Sequence, residues 1–361
     1  MISQWPEPVR RARELVMQFG WNATAYQIVN PGIDHWFSAE GDAVVGYVDS
    51  AGMRVVAGAP VSAEERLPAV IREFEQASID DGRGVCYFGA EARLEGALRN
   101  SREHSMALLG AQPAWSPHSW IQKADSYSSL RAQFNRASNK GVRVNEWPAA
   151  EATGSPRLSA VLNRWLEGRG LPPMHFLVEP STLERLDDRR IFVASRIVEH
   201  GKSADQILAF AVLSPVPARK GWLVEQFPRI PDAPNGTIEL ILRDAVRSVA
   251  HDGAEYLTLG LAPLAKRDDF AHTEPGWLKL ALRMTGAHGK RFYNFEGLEN
   301  FKAKFHPDTW EPVYAIQRSR TFSPRALYAI AGAFASGPPL AILGKGIARA
   351  AAQEARWLRK K

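Results

Sequence analysis

The sequence predicts an α+β fold, with a mostly antiparallel sheet in each of two halves and a separate helical tail. Three observations carry this reading. Short β-rich runs alternate with amphipathic helical runs along the chain, and strands adjacent in sequence are close enough to pair antiparallel. The length of 361 residues, 45% hydrophobic and 23% charged, is ordinary for a globular protein of about two domains. Midway, Trp147–Pro156 (WPAAEATGSP) clusters Ala, Gly, Ser and Pro, which marks a boundary. The expected units are residues 1–147, residues 156–317 and a tail of residues 318–361.

The elements follow in order. Ala43–Val48 and Met53–Ala57 read as a hairpin around Asp49–Gly52. Glu64–Ile79 has helical periodicity, Gly84–Phe88 is a short apolar strand and Glu91–Asn100 a helix. Ser119–Gln122 reads as a strand. Ser128–Lys140 is a basic amphipathic helix with Leu130, Phe134 and Ala137 on one face. After the boundary come helix Arg157–Glu167 and strands Ile191–Val198, Gln206–Leu213 and Trp222–Phe227. The turn Ile230–Gly236 leads into helix Thr237–Asp252, with Asn235 or Thr237 as its cap. Strand Tyr256–Leu259, helices over Trp277–Thr285 and Leu298–Phe305, and strand Val313–Gln317 complete the second half. In the tail, Pro338 and Pro339 split two Ala-rich helical segments, Arg325–Ser336 and Leu340–Leu358.

Composition excludes several classes. A single cysteine, Cys86, leaves no disulfide framework and no Cys-rich metal site. The histidines show no ligand spacing, so no metal is expected. No GxGxxG, GxxxxGK[ST] or GxSxG motif is present, which argues against dinucleotide, P-loop and α/β-hydrolase chemistry. The chain begins without a signal-peptide pattern, and no apolar run is long enough to span a bilayer, so the cytoplasm is the expected compartment. The formal net charge of +6 is distributed unevenly. Residues 318–361 hold nine basic residues against one acid, Glu354, so the whole excess sits in the tail. Leu340, Leu343, Ile347, Ala351 and Ala355 share one helical face flanked by Lys345, Arg349, Arg356 and Arg359, a pattern that suits a membrane interface. A helix packed back on the protein fits the same pattern.

Three segments stand out for chemistry. In Val224–Thr237 (VEQFPRIPDAPNGT), Glu225 is a carboxylate on an apolar strand that ends beside a helix start. Leu257–Leu264 (LTLGLAPL) opens from a strand into a Gly/Pro loop at Gly260. In Tyr293–Glu311 (YNFEGLENFKAKFHPDTWE), Leu298, Phe301 and Phe305 form a helical face with Lys302 at its edge. There Lys302 could meet a phosphate or a developing oxyanion, or simply snorkel over apolar surface.

Together the segments VEQFPRIPDAPNGTIE, LGLAPL and FYNFEGLENFKAKFHPDTWEPVYA resemble the cytosolic C-terminal domain of the bacterial aminoacyl-phosphatidylglycerol synthases. These are the lysyl- and alanyl-phosphatidylglycerol synthases, also called multiple peptide resistance factors. Weaker similarity runs through residues 35–147 and includes SLRAQFNRASNKGVRV. The resemblance implies two tandem GNAT-like (acyltransferase) folds. It also implies an acyltransferase with no cofactor that takes aminoacyl-tRNA as co-substrate and passes the aminoacyl group to a hydroxyl of phosphatidylglycerol.

By the same resemblance Lys302 matches the family's active-site lysine, and Glu225 falls where the family has the Asp of D-L-M-R. The Arg of that sequence falls on Pro228, with Arg229 one residue further. A one-residue slip on a strand turns a side chain to the other face. Catalytic roles are therefore expected for Glu225 and Lys302, and substrate contacts for Arg229, Asn235, Thr237, Gly260, Tyr293, Asn294, Glu296 and Lys304. Arg131, Arg136 and Lys140 are expected at tRNA phosphates. Lys345, Arg349, Arg356 and Arg359 are expected at an anionic lipid surface on the inner face of the cell membrane. The family's N-terminal membrane helices have no counterpart here, so a separate membrane protein is an expected partner. Two alternatives stay open: the same transfer to a soluble small-molecule acceptor, and a non-catalytic tRNA- or membrane-binding protein.

Overall fold

A computed structural model describes residues 2–168, 175–197, 205–263 and 295–335. The chain begins with α1 (Glu7–Phe19), β1 (Asp34–Phe37), β2 (Val44–Ser50) and β3 (Met53–Ala57). Then follow α2 (Leu67–Asp80), β4 (Gly84–Ala90), α3 (Ala92–Leu98), β5 (Ser105–Trp115), α4 (Pro117–Ala124), α5 (Ser128–Asn139) and β6 (Val142–Trp147). The second half holds α6 (Ala149–Ala152), α7 (Pro156–Glu167), β7 (Arg190–Arg196), β8 (Gln206–Val216), β9 (Gly221–Gln226) and α8 (Thr237–His251). It ends with β10 (Tyr256–Thr258), β11 (Ala262–Pro263), α9 (Phe295–Ala303), β12 (Thr309–Gln317) and α10 (Pro324–Ala335).

One twelve-stranded sheet runs through the molecule in the order β1-β2-β3-β4-β12-β5-β10-β9-β8-β7-β6, with β11 on β5. Among the described residues its pairs are antiparallel except β3 with β4 and β9 with β10. Each exception is a strand–helix–strand crossover, through α2 in one half and α8 in the other. Each half thus runs through an antiparallel meander into a parallel pair, so the mostly antiparallel character expected above holds, while the two halves share one continuous sheet and β3/β4 and β9/β10 pair parallel. The strand β12, late in the sequence, lies between β4 and β5 and joins the halves.

The core is layered on both faces. α4, α5, α7 and α8 cover the second half through Trp120, Leu130, Phe134, Leu158, Ile241 and Val249. α1 and α10 cover one face of the first half and α2 the other. Amphipathic spacing explains α5: Leu130, Phe134 and Ala137 are buried, while Arg131, Arg136 and Lys140 face outward.

Three expectations are corrected. Ser119–Gln122 is helix within α4, not strand: Pro117 sits in the first helical turn, and Trp120 and Ala124, one turn apart, are both buried. The cap of α8 is neither Asn235 nor Thr237 but Gly236, at φ +92°. A side chain there would meet the Gln133 carbonyl of α5 at 2.1 Å, and the Thr237 hydroxyl turns back to donate to Pro234 O at 2.6 Å. The first tail segment, α10, is a core helix: Phe322, Ala326, Ala329, Ile330 and Ala333 are buried in the first-half cluster that includes Met53, Val55 and Cys86. The second segment, with Lys345, Arg349, Arg356 and Arg359, lies outside the described residues, as does Trp277–Thr285. Among the described residues no helix is long and apolar enough to cross a membrane.

Candidate active site

The parallel pair β9/β10 ends where its register runs out. Leu223 is opposite Thr258, and Glu225 and Gly260 lie two residues further on each strand, at the same end of the pair. On the other side of β9 the ladder with β8 carries a bulge between Val224 and Gln226. Glu225 is the extra residue, the kind of local kink that re-aims a side chain.

Beyond β10 the chain turns at Gly260, at φ +68°, and rejoins β5 as β11. Only the missing side chain makes this turn easy, because a Cβ would come within 3.2 Å of the Leu223 side chain. The turn aims two carbonyls inward. The Lys302 ammonium nitrogen donates to Gly260 O and to Leu261 O, each at 2.8 Å. Lys302 is 3% exposed, so the edge position read from sequence is a buried one. Burial disfavours its charged form and pulls its pKa from 10.5 down to about 7. Among the described residues no carboxylate pairs with it.

Packing fixes the helix that carries Lys302. Phe301 and Phe305 join the second-half core, and Phe305 O accepts the indole N–H groups of Trp115 at 3.0 Å and Trp120 at 2.7 Å. Lys304 pairs with Glu239 in the first turn of α8 and lies 4.4 Å from the Phe301 ring centroid.

Glu225 turns toward the segment that follows α1. Its Oε1 accepts from Arg189 Nε at 2.8 Å and from Gln27 Nε2 at 2.9 Å, while Oε2 has no partner among the described residues. The Arg189 side chain is fully buried and also donates to Asn30 Oδ1 and Arg185 O, both at 2.7 Å. The carboxylate is thus pinned through one oxygen and open at the other. Gln27, Asn30 and Arg189 were not singled out from sequence. Gln27 and Asn30 sit in a segment without strong periodicity, and Arg189 reads as one charge among several in ERLDDRR.

The structure brings Lys302 and Gly260 together and sets Glu225 at the same strand exit. Pro228 is buried and its carbonyl accepts Phe210 N–H, while Arg229 is exposed, so the one-residue slip turns this arginine away. Asn235 is exposed. Tyr293 and Asn294 lie outside the described residues, and Glu296 lies in the first turn of α9.

The profile of the family described as phosphatidylglycerol lysyltransferase, C-terminal, matches residues 13–317. The chain belongs to this family. It is 25% identical over 295 residues to the phosphatidylglycerol lysyltransferase of Bacillus subtilis, covering 80% of this chain and 32% of that protein. It is 26% identical over 311 residues to the lysylphosphatidylglycerol biosynthesis bifunctional protein LysX of Nocardia farcinica, covering 83% and 26%. The chain spans about a third or less of these relatives. Among solved structures, L-PGS from Bacillus licheniformis superposes with a TM-score of 0.74 at 20% identity over 91% of this chain and 96% of that one. A C-terminal domain from Agrobacterium fabrum, assigned to a lysylphosphatidylglycerol synthetase, gives 0.75 at 23% over 92% and 98%. At these identities the likeness speaks to fold.

Proposed function

We propose that this chain transfers an aminoacyl group from aminoacyl-tRNA to a hydroxyl of a membrane lipid, with phosphatidylglycerol as acceptor. The observation that carries this reading is Lys302, buried at the exit of the β9/β10 pair with no carboxylate partner among the described residues. The names of the family and its curated relatives supply the substrate class.

In the transfer the acceptor oxygen attacks the ester carbonyl, a tetrahedral oxyanion forms, and the ribose hydroxyl of the tRNA end leaves. One proton passes from the acceptor hydroxyl to the leaving oxygen. Exchange of one ester for another is near thermoneutral, so orientation and oxyanion stabilisation carry the rate. With a pKa of about 7, Lys302 can donate as ammonium or accept as amine near neutral pH. Glu225 Oε2 is free to accept the hydroxyl proton or hold the aminoacyl ammonium, while Arg189 fixes Oε1. Gly260 contributes by aiming its carbonyl at Lys302. Substrate contacts at Asn235, Tyr293, Asn294, Glu296 and Lys304 belong to the same reading, whereas Arg229 is turned away and Thr237 is buried with its hydroxyl on Pro234 O. So do tRNA contacts along the exposed face of α5 and membrane contact through the basic residues beyond α10; the boundary expected at 147–156 does not divide the packing, because α4 and α5 join the second-half core and β6 pairs with β7.

The test supplies purified protein with aminoacylated tRNA, each amino acid labelled in turn, and vesicles containing phosphatidylglycerol. Label should enter the organic phase from wild type and not from Lys302→Met. Label lost from tRNA only when a metabolite extract is added would move the acceptor to a soluble compound. No loss of label under either condition would sink the reading.

A further inference from the structure

One turn past Lys302, the chain leaves α9 through a conformation that needs a cause. His306 has φ +51°, in the left-handed region, although it carries a full side chain and precedes Pro307. Such a residue is strained and persists only where its surroundings impose it. Here the conformation lays the imidazole flat on Tyr127, the residue that precedes α5, with ring centroids 3.8 Å apart and planes 14° from parallel. Tyr127 is half-buried and packs against the second-half core. His306 is exposed, and among the described residues no other ring is stacked on it. The result is a two-ring stack anchored at its inner end and open at its outer face.

We propose that the outer face of His306 is a stacking platform for an unpaired nucleobase. This rests on the transfer reading above and names where the terminal base of the RNA co-substrate sits. Flat, exposed aromatic faces are how proteins hold splayed bases, and each base stacked tightens binding by about tenfold. The surroundings suit a nucleotide. Arg131 stands one helical turn from Tyr127 on α5, exposed, with its guanidinium tethered to Asp125 O at 3.0 Å. Lys123, at the end of α4, is exposed nearby in sequence. His306 lies four residues beyond Lys302, just past the end of α9, so the platform and the lysine are carried by one helix and its exit turn. The same stacking chemistry could serve a free purine nucleotide, and the test separates the two sources.

The experiment measures affinity of the full chain for three probes at one salt concentration: an RNA hairpin with a single-stranded ACCA end, the same hairpin blunt, and adenosine monophosphate. Wild type should bind the tailed hairpin about tenfold more tightly than the blunt one. His306→Ala should remove that difference, and His306→Phe should restore most of it. Arg131→Ala should weaken both hairpins and reduce the salt slope by about one. Binding of adenosine monophosphate with an affinity matching the tailed hairpin would assign the platform to a free nucleotide and overturn the RNA assignment. Equal loss for both hairpins in His306→Ala, or no loss, would overturn the platform while leaving the transfer reading intact. Failure of wild type to bind either hairpin would overturn both.

Discussion

The two parallel crossovers of this protein end in the same backbone device and put it to different ends. In the first half, Gly89 lies one residue before the end of β4, at φ +83°, and its carbonyl accepts a hydrogen bond from Asn22 Nδ2 at 2.7 Å. In the second, Gly260 lies two residues past β10, at φ +68°, and its carbonyl accepts from Lys302. The pairing of β3 with β4 continues past Ala57, where Gly58 N–H reaches Phe88 O at 2.8 Å. The segment carrying Asn22 and Thr24 then fills the exit, within 2.8 Å of where a Gly58 side chain would stand. What remains beside Trp21, Pro60, Ser62 and Arg93 is a cavity of about 20 Å³, room for one water. At the β9/β10 exit the donor is a titratable amine, and Glu225 lies two residues past the last β9 residue paired with β10. The first exit is sealed by a neutral amide; at the second the donor itself can exchange a proton.

Replacing each carbonyl donor exploits that contrast most strongly. Lys302→Met should lower the transfer rate by about 100-fold or more, the usual scale for losing an acid–base group. Asn22→Ala removes a hydrogen bond to a buried carbonyl and should cost about 1–3 kcal/mol of stability, with transfer changed less than threefold at temperatures where the variant is folded. Equal losses of activity would erase the distinction between the exits. Next come the glycines. Gly89→Ala and Gly260→Ala each force a side chain into positive φ and should destabilise by about 1 kcal/mol. Only Gly260→Ala displaces the carbonyls that hold Lys302, so only it should slow transfer, by about tenfold. Glu225→Gln has no counterpart in the first half. If its open oxygen handles a proton, kcat should fall about tenfold with KM little changed. A lower Tm with unchanged kcat would assign Glu225 to balancing Arg189 alone.

Much of this contrast was legible in the sequence, and the part that was not has a physical cause. The motifs at Glu225, Gly260 and Lys302 were readable because each breaks a local pattern: a charge on an apolar strand, a glycine after a strand, a lysine beside a phenylalanine face. The hairpin around Ala51–Gly52 and helices α5, α7 and α8 followed from period and turn residues. β5 did not, because Gly110 and Pro113 interrupt its run of small and apolar residues and it draws its pairing from β10, β11 and β12. The ion pair Arg189–Glu225 spans 36 residues and its partners Gln27 and Asn30 lie further away, so spacing carries no trace of it. The burial of Lys302 was hidden for a related reason: its partners are backbone carbonyls, which any sequence supplies. His306 kept no signature either, since its stack with Tyr127 joins residues far apart in the chain.

The effect cleanest in sign comes from two buried groups that titrate in opposite senses. Glu91, just past the sealed exit, has one oxygen on Ala23 N–H at 2.7 Å, while the other is buried without a hydrogen bond, 3.6 Å from Arg219. Arg219 is already committed to Glu311 and lies 3.4 Å from the Tyr256 ring centroid. Burial pushes the Glu91 carboxyl up to about 8, with Arg219 only partly opposing it. The folded state then holds a proton that the unfolded chain releases near pH 4.5, so stability falls as pH rises from about 4.5 to 8. Lys302 runs the other way. Its folded amine gives up a proton near pH 7 that the unfolded chain keeps to about 10.5, so stability rises across that window. Melting curves from pH 5 to 10 should therefore show Glu91→Gln gaining on wild type up to pH 8 and then holding its lead. Lys302→Met should lead most at pH 7 and below and lose that lead toward pH 10. Parallel curves for both variants would mean that neither group changes protonation on folding, and the proton-exchanging role given to Lys302 would lose its physical basis.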